Sequence, residues 1–201
     1  MAGITPTMSN LGIMIGTLYP LFIVSFLVLA SIFNWKLTGL VYLGGVVFTY
    51  FISYAIALTG IVSDRPPDAS VTCDIFSKFS YNSAGPSFQA AVCWFSFIYL
   101  LLPQLMGNFI NPMVIFVTAL FAFINMIVQY QHKCSNIVGL VLGAVLGLAC
   151  GLLWFFIWWS SGKKDLLFYH EIMSNNAICQ RPSSQTFKCK VYRGGELIGE
   201  I

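Results

Sequence analysis

Charge is what this sequence has least of. Of its 201 residues only 8% are Asp, Glu, Lys or Arg, against about 25% in an ordinary soluble domain. The few charges are also confined. None occurs in 1–35, 37–63, 79–132 or 134–162, and a soluble globule of this size has no interior large enough to hide such stretches. The net charge of +3 gives no basic footprint for nucleic acid, so nucleic acid is excluded as a partner.

Other absences narrow the chemistry. No Gly-rich phosphate loop ending in Lys-Ser/Thr, no H-E-x-x-H and no C-x-x-C occurs, which removes the simplest nucleotide, zinc-protease and thiol-redox readings. Cys179, Cys189 and His170 match no zinc spacing, so neither a metal nor a cofactor is expected. No Asp, Glu, Lys or Arg falls inside an apolar run, which leaves no ordinary ion or proton relay. The opening segment MAGITPTMSN lacks Lys and Arg, so it has no basic start of a secretory signal, and the first apolar run is expected to be retained.

What is present is hydrophobic length. Residue types AVILMFWYC make up 58% of the chain. Five runs, near 11–33, 38–62, 87–106, 112–130 and 137–159, are long enough as helices to cross about 30 Å of hydrocarbon. The expected fold is an all-α, multi-pass transmembrane bundle over 1–159, followed by an extramembrane tail over 160–201. Pro20 is expected to kink the first span. The five tryptophans fall mostly near span ends, as in an interfacial belt. In the tail, SSGKKDLLFYHEIMSNN can form a short interfacial helix. FKCKVY, RGG and ELIGEI then read as strand, turn and strand of a small β-hairpin.

An odd number of spans puts the two termini on opposite faces. Side A holds the N-terminus, the 63–86 loop and the turn 131–136; side B holds the turns 34–37 and 107–111 and the tail. Side A carries Arg65, Lys78 and Lys133, against seven Lys and Arg on side B. The bias leans toward a cytoplasmic tail and an external or lumenal side A. Cys73 and Cys134 share side A, where a disulfide between them could clamp loop to turn.

Gly139, Gly143, Gly147 and Gly151 recur every fourth residue in the last span. A stripe of small residues lets a second helix approach closely. The neighbour is either a helix of the same bundle or one of another subunit, so a protein partner or a homo-oligomer could use the glycine face or the tail.

Side A also gathers polar residues that lie far apart in the chain: Arg65 after the second span, Ser87 and Gln89 at the start of the third, and His132 and Asn136 before the fifth. An Arg and helix-start N–H groups can hold a phosphate, and a neutral His can act as a nucleophile. Equally, span ends must be polar somewhere, and the same residues can be plain interfacial ones.

Their order resembles the type 2 phosphatidic acid phosphatase superfamily, multi-span phosphatases of lipid and polyprenyl phosphates with the signatures K-x6-RP, PSGH and SR-x5-H-x3-D. DRPP supplies Arg65 and Pro66, GPSFQ supplies Pro86 and Ser87, and QHKCSN supplies His132 with Asn136 at the aspartate position. The resemblance covers roughly 38–159. It implies His132 as the residue that attacks phosphorus, Asn136 as its orienting partner, Gln89 in place of the general acid, and Arg65 and Ser87 as phosphate contacts. Leu58 stands where the signature has Lys, and Asn125 and Met126 where it has Ser-Arg. Phosphoryl transfer needs positioned charge, and loss of a general acid alone costs on the order of 10²–10⁴ in rate. The implied protein is a non-catalytic member that serves as a structural or interaction subunit and keeps a membrane lipid as partner. Two alternatives stand beside it: an unrelated assembly subunit of a membrane complex or viral membrane, and a divergent phosphatase that uses His132.

Overall fold

The computed structural model describes residues 8–60, 85–107, 110–163, 166–167, 190–193 and 196–200. Among the described residues, five helices are long and apolar enough to cross a membrane. They are α1 (Met8–Phe33), α2 (Thr38–Ala57), α3 (Phe88–Met106), α4 (Pro112–Gln131) and α5 (Ile137–Ser160). The chain is an integral, multi-pass membrane protein. A two-stranded antiparallel hairpin, β1 (Lys190–Arg193) with β2 (Glu196–Glu200), forms part of the tail. The connections expected over 63–84, and most of the proposed interfacial segment after Lys163, lie outside the described residues.

Helix starts follow from capping chemistry. Ser87, Asn111 and Asn136 cap α3, α4 and α5 by accepting from backbone N–H groups two or three residues on, which satisfies donors that the helix itself leaves open. Pro112 stands first in α4, where its missing N–H is harmless. Leu37 gives α2 no side-chain cap; instead Ser31 Oγ of α1 accepts from Gly39 N at 2.8 Å. The expected end of α2 near residue 62 is corrected to Ala57, because the chain leaves the helix through Thr59 and a left-handed Gly60 (φ +67°).

Two of the short helix–helix connections share one device. At the α1–α2 turn, Trp35 N bonds Ile32 O and Lys36 N bonds Ser31 O. At the α4–α5 turn, Lys133 N bonds Tyr130 O and Cys134 N bonds Gln129 O. Both are Schellman ends, whose left-handed position is ordinarily glycine. Here it is Trp35 (φ 54°) and Lys133 (φ 55°), each strained by about 1–2 kcal/mol.

The most buried span is α3, which touches all four other helices. Its most extensive pairing is with α5, and the glycine stripe is the cause. A Cβ on Gly143 would overlap the Ser87 carbonyl oxygen, one on Gly147 the Ala91 carbonyl, and one on Gly151 the side chain of Ile98. Gly139 lies buried at the head of the same face. The stripe is thus covered by α3 of the same chain. Around this seam, Tyr42 of α2 is wholly buried, bonds Ser96 Oγ at 2.5 Å and packs against Phe95 and Tyr99. Leu167, beyond α5, is fully buried in the same core.

The belt expected of the tryptophans resolves into separate roles. Trp154 donates its indole N–H to Val41 O at 3.0 Å, and Trp94 donates to Met126 Sδ at 3.1 Å. Trp158 Nε1 is buried, and Trp159 stacks on Phe155. Trp35 alone projects fully outward, 96% exposed.

Candidate functional site

The starts of α3 and α5 and the end of α4 meet at side A. Ser87 N donates to Gly139 O at 2.9 Å, while Gly139 N donates to Asn136 Oδ1 at 2.7 Å. The two caps are therefore linked through one glycine, and two helix N-termini lie side by side. The partly positive N-terminal ends of α3 and α5 are met there by the partly negative C-terminal end of α4. The Gly85–Pro86 peptide that leads into Ser87 is cis.

From Ser87 a chain of hydrogen bonds runs inward. Ser87 Oγ donates to Gln129 Oε1 at 2.5 Å, and Gln129 Nε2 donates to Asn125 Oδ1 at 2.6 Å. Asn125 Nδ2 donates to Gly16 O of α1 at 2.7 Å and, more weakly, to Gln89 Oε1 at 3.4 Å. Asn125 is completely buried, and Ser87, Gln89 and Gln129 nearly so. A polar side chain in hydrocarbon must find a partner, and here α1, α3 and α4 supply one another's. Gly16 makes the reach possible, since a Cβ there would come within 2.7 Å of Val128.

Of the residues singled out in the sequence, Ser87 and Gln89 belong to this network. His132 is the half-buried C-cap of α4, one turn beyond Val128, whose carbonyl accepts its backbone N–H at 3.0 Å. Asn136 stands at the same end, with its side-chain oxygen engaged in capping α5. Arg65 and Cys73 lie outside the described residues. Cys134 is disulfide-bonded; Cys93 and Cys150 are free and buried, and the bonding partner of Cys134 also lies outside the described residues. Among the described residues no three of His, Cys, Asp and Glu group as a metal site.

Three members of the network lie outside the site read from the sequence: Asn125, which there marks only a departure from the third signature, Gln129 and Gly16. Gln129 could have been found as the amide one turn after Asn125, inside a run that is otherwise apolar. The Gly16 carbonyl carries no such signal. Met126, at the arginine position of the third signature, meets Trp94 at 3.1 Å. Trp94 is seven residues down α3 from Ser87, or about 10 Å along the helix. Position 126 therefore faces a different part of α3 from the polar chain.

An apolar groove of about 370 Å³ opens between α2 and α5. Phe48, Ile52 and Ile56 form one wall and Leu142, Val145 and Leu153 the other, and the groove reaches Pro86, next in the chain to Ser87. Comparisons with family models, with curated proteins and with solved structures find no match to this chain.

Proposed function

We propose that this chain is a non-catalytic, phosphatase-like membrane protein that acts as a structural or interaction subunit and binds lipid through its membrane part. The observation that carries the reading is the neutral chain from Ser87 through Gln129 and Asn125 to Gly16. Stabilising a transferring phosphoryl group calls for cations and free donors. At this end the Ser87 hydroxyl and both Asn125 N–H groups are engaged within the fold. Amides there tie helices together and supply no charge.

The groove between α2 and α5 supports the lipid part of the reading. Its walls are hydrocarbon, and it ends beside the polar site, the layout that suits an acyl or isoprenoid chain. With the glycine face closed by α3, protein contacts on this reading fall to the tail over 160–201.

The membrane orientation belongs to the same proposal. A disulfide at Cys134 favours an oxidising compartment for the α4–α5 turn, and the Lys and Arg excess of the tail favours the cytoplasmic side. Two independent signals thus agree on an external or lumenal side A.

The test is a turnover assay with purified chain in lipid, across phosphatidic acid, lysophosphatidic acid and prenyl phosphates. The expected result is phosphate release no greater than from His132→Ala. Release that vanishes in His132→Ala would establish a divergent phosphatase instead.

A further inference from the structure

The α1–α2 turn exposes an aromatic side chain that its own fold does nothing to shelter. Trp35 is 96% exposed, and Phe33 and Leu37 on either side are 79% and 61% exposed. Among the described residues no ring contact involves Trp35 or Phe33. The turn is nonetheless rigid. Ser31 Oγ donates to Lys36 O at 2.5 Å and accepts from Gly39 N at 2.8 Å and Thr38 Oγ1 at 3.3 Å. Asn34 Nδ2 adds a bond to Ala30 O at 2.7 Å.

Trp35 also occupies the one backbone position in that turn which glycine would fill without strain. A large residue at an unfavourable dihedral, with no internal packing in return, points to an external partner. The turn joins two membrane-crossing helices, so its surroundings are the boundary between headgroups and hydrocarbon. That layer suits an indole, with its apolar body and one N–H donor. The other four tryptophans are each partly buried by their own chain.

We propose that the α1–α2 turn is a lipid-interface anchor: Trp35, flanked by Phe33 and Leu37, seats among the lipid carbonyls of side B and fixes the depth of the α1–α2 hairpin. The rigid turn makes the anchor preorganised, since little freedom remains to be lost when the indole enters the interface. Exposed Lys36 stands beside it at the level of the headgroups.

Difference fluorescence between the wild-type chain and Trp35→Phe, in phosphatidylcholine vesicles, isolates the Trp35 emission. Lipid brominated on the upper part of the acyl chain is expected to quench this component. Lipid brominated near the terminal methyl, and iodide in the water, are expected to leave it unchanged. Quenching by iodide without quenching by upper-chain bromine would place Trp35 in water and overturn the proposal. Protection from all three quenchers would mean that protein covers it, which overturns the proposal equally. Trp35→Gly supplies the second arm. It relieves the dihedral, so melting in detergent should rise or stay level; a fall would mean that the indole serves the fold and not the membrane.

Discussion

Asn125 of α4 donates its side-chain N–H to the main-chain carbonyl of Gly16 in α1, 2.7 Å away and 109 residues distant in the chain. The bond fastens the first helix to a bundle otherwise organised around α3. It also terminates the polar chain that begins at Ser87, so the fate of Asn125 decides whether Gln129 keeps its acceptor.

Asn125→Leu is therefore expected to destabilise the protein by about 1–3 kcal/mol, the usual range for leaving buried donors and acceptors unpaired. Interhelical hydrogen bonds in membranes average less than this when both partners can relax, but Gln129 has no such freedom while bonded to Ser87. Unfolding in graded denaturing detergent measures the loss. An unchanged midpoint would show that the network contributes nothing to α1 docking.

Gly147→Ala places a methyl group against the Ala91 carbonyl, which is main chain and cannot swing aside. The two helices must separate, at an expected cost of about 1–3 kcal/mol. Gly44→Ala is the control, because its nearest neighbour is the Trp154 ring edge at 3.2 Å, a side chain that can shift slightly. Thermal melting should show a clear fall for Gly147→Ala and a small one for Gly44→Ala.

Cys134→Ser removes an existing disulfide, with an expected loss of about 2–4 kcal/mol. If the partner is Cys73, as their shared side A suggests, then Cys73→Ser and the double variant should lose the same amount as Cys134→Ser. Peptide mapping of the unreduced chain checks the pairing directly. Additive losses from the two single variants would rule that pairing out.

Met126→Arg restores the arginine of the third signature without restoring its setting. The guanidinium would replace the sulfur that accepts from Trp94, between two helices and away from Ser87. The expected outcome is a lower melting temperature and no phosphate release from lysophosphatidic acid. A gain in turnover would show that the side-A residues still form a competent phosphate site.

Much of the architecture was legible in the residues alone. Span positions agree with the helices to within a few residues, because Ser87, Asn111 with Pro112, and Asn136 each mark a helix start by local capping. The end of α2 was less legible, since Ile61 and Val62 continue the apolar run after the backbone has left the helix at Gly60. The polar residues at side A were visible as a set, but their connections were not. Gln129 reads as one amide among several near a span end, and only its placement opposite Ser87 gives it a role.

The sequence by itself determined that this chain lives in a membrane, where its long apolar helices lie, and that few charges are available for chemistry. Those properties are sums over neighbouring residues: transfer of an apolar run into hydrocarbon depends on the run and not on what packs against it. Tertiary structure decided which way each helix is turned. A rotation of α5 would expose Gly143 and Gly147 to lipid or to another subunit with the same composition and spacing; the fold turns them onto the carbonyls of Ser87 and Ala91. The same holds for Asn125 and Met126, adjacent in sequence and about 100° apart around the helix. One closes a buried hydrogen-bond chain to α1 and the other meets an indole on α3. Contacts between helices depend on rotation and distance in three dimensions, and a linear pattern specifies the faces of a helix without specifying what each face meets.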